Sequence, residues 1–239
     1  MSVEPPNVHA LIPAAGQSVR FGGTTLKQYA FLVGKPVIAH SIDAVLRHPA
    51  VKAVTVALAG DDGIFDELIR PDYPGVTTVA GGESRAHTVL NGLNFIRRHD
   101  PGCEWVLVHD AARPCLPYAA LDTLLRHVGN ESDGAILAVP VTDTLKQESD
   151  AFRIDKTVSR TQLWAAQTPQ VFPLDSLLDN LRAALSFGAP PTDEAEAMER
   201  AGLHPTLVPG SPHNIKITGP EDLPMAEFIL KQASAGGAP

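Results

Sequence analysis

Small residues followed by spaced cations are the arrangement in this chain with the clearest chemical use. Residues 8–28, VHALIPAAGQSVRFGGTTLKQ, open with an apolar run broken only by His9, pass through Ala14-Ala15-Gly16, and then carry Arg20 and Lys27. An apolar run this short, ending in small residues, reads as a buried strand entering a tight loop. The loop N–H groups can approach a ligand closely, and fixed cations beside them suit a polyphosphate. The bland alternative is an ordinary strand-turn-helix connection with two solvated charges. Neither of the better-known phosphate loops is present. Gly16 and Gly22 are too far apart for G-x-x-x-x-G-K-[ST], with Gly23 where Lys would follow, and Ser18 replaces the second glycine of G-x-G-x-x-G.

The elements that position this loop form a regular alternation. Helical spacing of apolar residues marks 36–46, 64–69, 84–97 and 121–128, with Pro36 suited to a first helical turn. Short apolar strands are expected at 51–58, 76–79, 105–108 and 135–141. The pattern predicts an α/β fold, a mostly parallel twisted sheet flanked by helices. Ligands of such sheets lie beyond the carboxyl ends of the strands. The polar clusters at 14–27, 81–88 and 109–113 all follow predicted strands, so they should share one edge.

The rhythm breaks at 142–162, TDTLKQESDAFRIDKTVSRTQ, which has many charges and little to build a core. Alternation at 152–154 and 157–158 predicts a hairpin arm outside the main sheet, with a disordered loop as the alternative. Residues 164–172 return to the core, and 174–187 read as a helix. Thr192-Asp193 cap a helix over 194–201 that Gly202 stops. A short apolar piece at 207–208, a strand over 214–218 (NIKIT) and a helix over 220–232 complete the chain, with a disordered tail from about 234 to 239. One domain, 1–239, is expected.

Composition limits the partners. The 239 residues carry 19 basic and 27 acidic groups, a net charge of −8, which argues against a nucleic-acid footprint and fits a small anion held by a few local cations. Cys103 and Cys115 are too few for a disulfide framework or a zinc site. The start, MSVEPPN, lacks the features of a signal peptide, and no apolar run could span a bilayer, so a cytoplasmic protein is expected.

Ordered motifs carry a resemblance over nearly the whole chain. They are HALIPAAG (9–16), LKQY (26–29), GKPVIAHS (34–41), GGESR (81–85), VLNGL (89–93), VHDAARP (108–114), PVTDTLK (140–146), LWAAQTPQVF (163–172), TDEAEAMERAG (192–202) and NIKITGPEDL (214–223). Together they resemble the 2-C-methyl-D-erythritol 4-phosphate cytidylyltransferases of the non-mevalonate isoprenoid pathway. The chain departs from that pattern at Ser18, where a second loop glycine is usual, at Leu26, where Pro commonly precedes Lys-Gln, and at His87-Thr88 in place of Asp-Ser.

The resemblance implies a nucleotide-binding α/β domain with an arm exchanged between two subunits. It implies transfer of the cytidylyl group of CTP to 2-C-methyl-D-erythritol 4-phosphate, with release of pyrophosphate and a requirement for Mg²⁺ or another divalent cation. Catalytic roles carry over to Arg20, Lys27, Arg160 and Lys216. Base and ribose contacts carry over to Pro13, Ala14, Ala15, Gly16, Gly82, Arg85 and Thr88. Acceptor contacts carry over to Asp110, Arg113, Thr144, Arg160, Thr168 and Thr192, with Thr144 and Arg160 supplied by the neighbouring subunit. Asp110 is also the metal candidate, since Mg²⁺ is usually held by one or two carboxylates plus substrate phosphates. Each has an ordinary alternative: helix capping for Asp110 and Thr192, a turn for Gly81-Gly82, and an exposed edge lysine for Lys216. The competing functions are a cytidylyltransferase for another polyol phosphate, such as ribitol 5-phosphate, and a CTP-binding module without activity.

Overall fold

The computed structural model describes residues 6–16, 21, 26–128 and 133–235. The chain opens with β1 (Val8–Pro13), a small hairpin of β2 (Phe31–Leu32) and β3 (Lys35–Pro36), and α1 (Val37–Leu46). It continues through β4 (Val51–Leu58), α2 (Ile64–Leu68), β5 (Thr77–Ala80), α3 (Arg85–His99), β6 (Trp105–Val108) and α4 (Tyr118–His127). Next come β7 (Ala135–Pro140), β8 (Leu145–Ser149), β9 (Arg153–Val158) and β10 (Trp164–Pro173). The last elements are α5 (Leu174–Ser186), α6 (Glu194–Arg200), β11 (Thr206–Pro209) and α7 (Leu223–Ala235).

The main sheet runs β11-β7-β10-β6-β1-β4-β5. It is parallel from β6 through β5 and between β11 and β7, while β10 is antiparallel to both its neighbours. Alternation along the strands divides the core between two faces. Val8, Ala10 and Ile12 of β1 join α1, α2 and α4 on one side, and Leu11 joins α3, α5 and α6 on the other. Each fully buried Leu, Ile, Val or Phe contributes about 1.5–3 kcal/mol, so this two-sided core dominates the stability. The chain leaves β1 toward β4 and β5, then crosses back to place β6 on the other flank of β1. That reversal opens a crevice at the carboxyl ends of β1 and β6, where open α/β sheets take ligands.

Except at 214–218, the predicted strands and helices of the main fold are present with ends shifted by at most three residues, and Pro36 caps α1 from outside rather than entering its first turn. Asp193 alone caps α6, its side chain accepting from the Glu196 N–H at 2.9 Å. The expected strand at 214–218 is absent. Its polar groups are drawn elsewhere: Asn214 C=O accepts from Arg113, the Asn214 side chain donates to Thr168 C=O, and Ile217 N–H donates to Ala112 C=O. The segment crosses the 110–113 loop as irregular chain, anchored by fully buried Ile217. Helix α7 runs through Ser234 and Ala235, two residues into the expected tail, and 236–239 lie outside the described residues.

The arm is a hairpin of its own, with β8 and β9 paired antiparallel and, among the described residues, joined to no other strand. Phe152, expected in a strand, sits in the turn with φ 57°. Phe152 is 95% and Ile154 65% exposed. An isolated two-stranded hairpin is marginal in water.

Candidate active site

A cleft of about 760 Å³ opens at the carboxyl ends of β1, β4, β5 and β6. It is lined by Pro13 to Gly16 after β1, Ala59 to Asp61 after β4, Gly81 to Arg85 after β5 with Thr88, and Asp110 to Ala112 after β6, together with Lys27, Gln28 and Lys216. The three polar clusters expected to share an edge therefore do so as far as they are described. Arg20 and Ser18 lie outside the described residues.

The small residues are there because the loops crowd one another. Ala14 N–H donates to Ala57 C=O at 2.7 Å and Gly81 N–H to Leu58 C=O at 2.6 Å. A Cβ on Gly81 would stand 2.5 Å from Ala15 Cβ, and one on Gly82 2.6 Å from His87 Cβ. Ser84 caps α3, accepting from the His87 N–H at 3.2 Å. The Thr88 hydroxyl accepts from Gly82 N–H at 3.1 Å and reaches Ser84 C=O at 2.9 Å, so its first task is closing the 81–88 loop. His87 contacts the same loop through Ser84 Oγ at 2.8 Å.

Lys27 begins a short 3-10 turn, Lys27–Tyr29, clamped from two sides. The buried Gln28 side chain donates to Ala14 C=O at 3.1 Å, and the Tyr29 hydroxyl donates to Asp62 at 2.7 Å. The positive charge of Lys27 reaches Asp222, whose carboxyl is held below the usual range mainly by the Thr218 and Gly219 N–H groups and less by Lys27.

Asp110 is the electrostatic centre. Lys216 Nζ stands 2.8 Å and Arg113 Nε 3.5 Å from its Oδ2, and Arg85 Nη2 lies 3.3 Å from Oδ1. Burial alone would raise this carboxyl, but Arg85, Lys216 and Arg113 outweigh it and hold the group well below the ordinary carboxylate range. The surrounding cations therefore favour the charged form of Asp110. Arg85 also forks onto Glu194, a fully buried carboxylate that sequence reasoning missed, with contacts of 2.7 and 3.0 Å. Glu194 is buried while Arg85 keeps contact with solvent, so losing Arg85 would strand the Glu194 charge more than the reverse.

Thr168, adjacent to a cis Thr168–Pro169 bond, holds Asp110 from below: its hydroxyl accepts from the Asp110 N–H at 3.0 Å. It donates to His109 Nδ1 at 3.1 Å, because His109 Nε2 must be the donor to Arg113 C=O at 3.0 Å. That chain requires neutral His109, and burial pushes its pKa down from 6.5 to about 4. Between those values the unfolded chain binds a proton that the folded chain refuses, so stability is full above pH 6.5 and falls as pH drops toward 4. The expected loss is about 3 kcal/mol, at roughly 1.4 kcal/mol per unit. Urea midpoints between pH 7 and 4.5 should fall less steeply for His109→Gln than for the wild type; equal slopes would remove His109 as the cause.

The remaining predicted residues do not line the cleft. Arg113 Nη1 donates to Asn214 C=O at 2.6 Å, and the exposed Thr192 hydroxyl donates to Glu196 at 2.8 Å. Thr144 and Arg160 are exposed on the arm. Among the described residues His9, Asp100 and Cys103 also cluster like metal ligands, but at the opposite edge of the sheet. Their mixed N, O and S donors do not suit Mg²⁺. His9 is already engaged at 3.0 Å with Asp100 and 2.9 Å with Thr55.

Comparison with known proteins gives one result. A sequence model of the 2-C-methyl-D-erythritol 4-phosphate cytidylyltransferase family matches residues 8–232. Proteins of that name from Tolumonas auensis and Vibrio vulnificus are 46% and 44% identical over 223 residues, 93% of this chain and 96% and 94% of theirs. The crystal structure of the Francisella tularensis 2-C-methyl-D-erythritol 4-phosphate cytidylyltransferase is similar at a TM-score of 0.79 and 33% identity, covering 93% of this chain and 99% of that one. The Thermus thermophilus structure is similar at 0.77 and 27% identity, covering 94% and 99%.

Proposed function

We infer from the cleft of this chain, which belongs to the 2-C-methyl-D-erythritol 4-phosphate cytidylyltransferase family, how its two substrates are brought together. The chain is a nucleotidyltransferase of isoprenoid precursor synthesis, joining CTP to 2-C-methyl-D-erythritol 4-phosphate and releasing pyrophosphate. An oxygen of the acceptor phosphate forms a bond to the α-phosphorus of CTP as the bond to the bridging oxygen breaks. No protein nucleophile is needed, so positioning and fixed positive charge are the levers.

The observation that carries this assignment of roles is the convergence of four strand-end loops on one ionised carboxylate surrounded by cations. The base and ribose lie against Pro13, Ala14, Ala15, Gly16, Gly82, Arg85 and Thr88. Lys27 and Lys216, with Arg20 from the sequence pattern, offset the charge that grows on the phosphoryl and leaving groups. Asp110 presents a hard, ionised oxygen donor at the cleft floor, with Asp61 and Glu83 at its lining, and this fits Mg²⁺ held by one carboxylate and substrate phosphates. Bound there, the ion would neutralise phosphate charge. Arg113, Thr168 and Thr192 lie on the acceptor side, Thr168 mainly through its hold on Asp110.

Thr144 and Arg160 belong to the arm, and the exposure of Phe152 and Ile154 there supports seating the arm on a second copy of the chain. Covering each of those side chains contributes about 1.5–3 kcal/mol. The protein is thus one nucleotidyltransferase domain, residues 1–239, with an arm at about 142–162, acting as a cytoplasmic homodimer on small molecules. The acidic surface argues against nucleic acid, and among the described residues no helix is long and apolar enough to cross a membrane.

Pyrophosphate release from CTP with a panel of polyol phosphates tests the reading. Release should require both a divalent cation and 2-C-methyl-D-erythritol 4-phosphate. Faster release with ribitol 5-phosphate, or release unaffected by EDTA, would contradict it.

A further inference from the structure

Glu194 is the first residue of α6 and is fully buried, and the motif at 192–202 that contains it assigned it no role. It is fixed from behind. Gln170 of β10 accepts from the Ala195 N–H at 3.0 Å and donates to Asp193 at 2.9 Å, tying the start of α6 to the sheet. From that position both its carboxylate oxygens take the Arg85 fork, Nη1 at 2.7 Å and Nη2 at 3.0 Å. The same Nη2 reaches Asp110 only at 3.3 Å. Arg85 is therefore shared between two carboxylates, and the better bidentate geometry belongs to Glu194.

This sharing has a consequence for Asp110. Arg85, Arg113 and Lys216 all face its carboxylate. A carboxylate fully engaged by three fixed cations is a poor ligand for a further, divalent one. We propose that Glu194 is a positioning residue that loosens the hold of the Arg85 guanidinium on Asp110 Oδ1, leaving that oxygen, which neither Lys216 nor Arg113 contacts, to the divalent cation that accompanies CTP. The proposal rests on the reading of Asp110 as metal ligand given above. Without the Glu194 charge, the Arg85 fork turns fully onto Asp110 and competes with the ion for that oxygen.

The test is calorimetric binding of CTP with Mg²⁺ and with EDTA, a measurement independent of turnover. In Glu194→Gln the affinity gained on adding Mg²⁺ should shrink about tenfold, the lower range for a residue that acts on a metal through another. The affinity in EDTA reports any change in the Arg85 contact to the nucleotide, so the test is read from the ratio of the two affinities. Glu194→Asp, which keeps the charge, should recover part of the gain. The double variant Arg85→Gln/Glu194→Gln removes competitor and restraint together and leaves no unpaired buried charge, so it tests the proposal even if Glu194→Gln fails to fold. Its Mg²⁺-dependent gain should equal or exceed the wild-type gain. An undiminished gain in folded Glu194→Gln, a parallel loss in Mg²⁺ and EDTA, or a double variant with a reduced gain would overturn the proposal. Asp110→Asn separates the premises. If it abolishes the gain while Glu194→Gln does not, the metal reading stands and the role of Glu194 falls; if Asp110→Asn keeps the full gain, both fall.

Discussion

Lys27→Ala should lower turnover by on the order of 10²–10³ while CTP affinity changes far less, the pattern expected for a group whose interaction strengthens in the transition state. Lys27 lines the cleft on a turn held by Gln28 to Ala14 C=O and by Tyr29 to Asp62. A cation mounted on so restrained a segment needs little rearrangement as charge moves onto the phosphoryl oxygens and leaving pyrophosphate. Lys27→Arg should not restore the rate fully, because a planar fork cannot reproduce a compact point charge. Turnover at saturating substrates, paired with calorimetric CTP binding, decides the matter. An unchanged turnover would remove Lys27 from the chemistry, and an equal loss in both would make it a binding group only.

The sheet was legible because its strands are short apolar runs bounded by turn residues and its helices keep one apolar face. The 214–218 segment misled because alternation in NIKIT is the same whether a neighbouring strand or a loop receives it. Asn214 and Ile217 are bound to 110–113 and 168, partners that local pattern cannot name. The small residues after β1 and β5 were readable as a loop cluster at one sheet edge, and they do line the cleft; their packing against one another serves equally as a reason for their size. Glu194 was hidden because its partner Arg85 is 109 positions away, and an acidic residue in a first helical turn looks like ordinary helix chemistry. Thr168 and Thr88 were visible as hydroxyls but not as struts. Only the hydrogen bonds to Asp110 N–H and Gly82 N–H reveal that use.

The arm carries two residues that the proposed function assigns to the acceptor. Arg160 and Thr144 are exposed there and absent from the lining of their own chain's cleft. Residues 145–158 form a hairpin whose apolar side chains Phe152 and Ile154 face solvent in the single chain. On the proposed reading, a second copy that covers them would also receive Arg160, whose planar fork can hold the acceptor phosphate bidentately. Arg160→Ala should therefore be nearly inactive by loss of acceptor binding, with CTP binding retained.

The decisive measurement mixes two inactive proteins, Lys27→Ala and Arg160→Ala, unfolds them together, refolds them and assays pyrophosphate release. In a two-fold dimer with exchanged arms, each mixed dimer has one site with both defects and one site with neither. Random pairing of equal amounts then restores roughly a quarter of all sites. Activity near that level is the predicted result. A mixture as inactive as its components, with mixed dimers shown to form by mass spectrometry, would mean that Arg160 serves its own subunit and that the shared site is wrong.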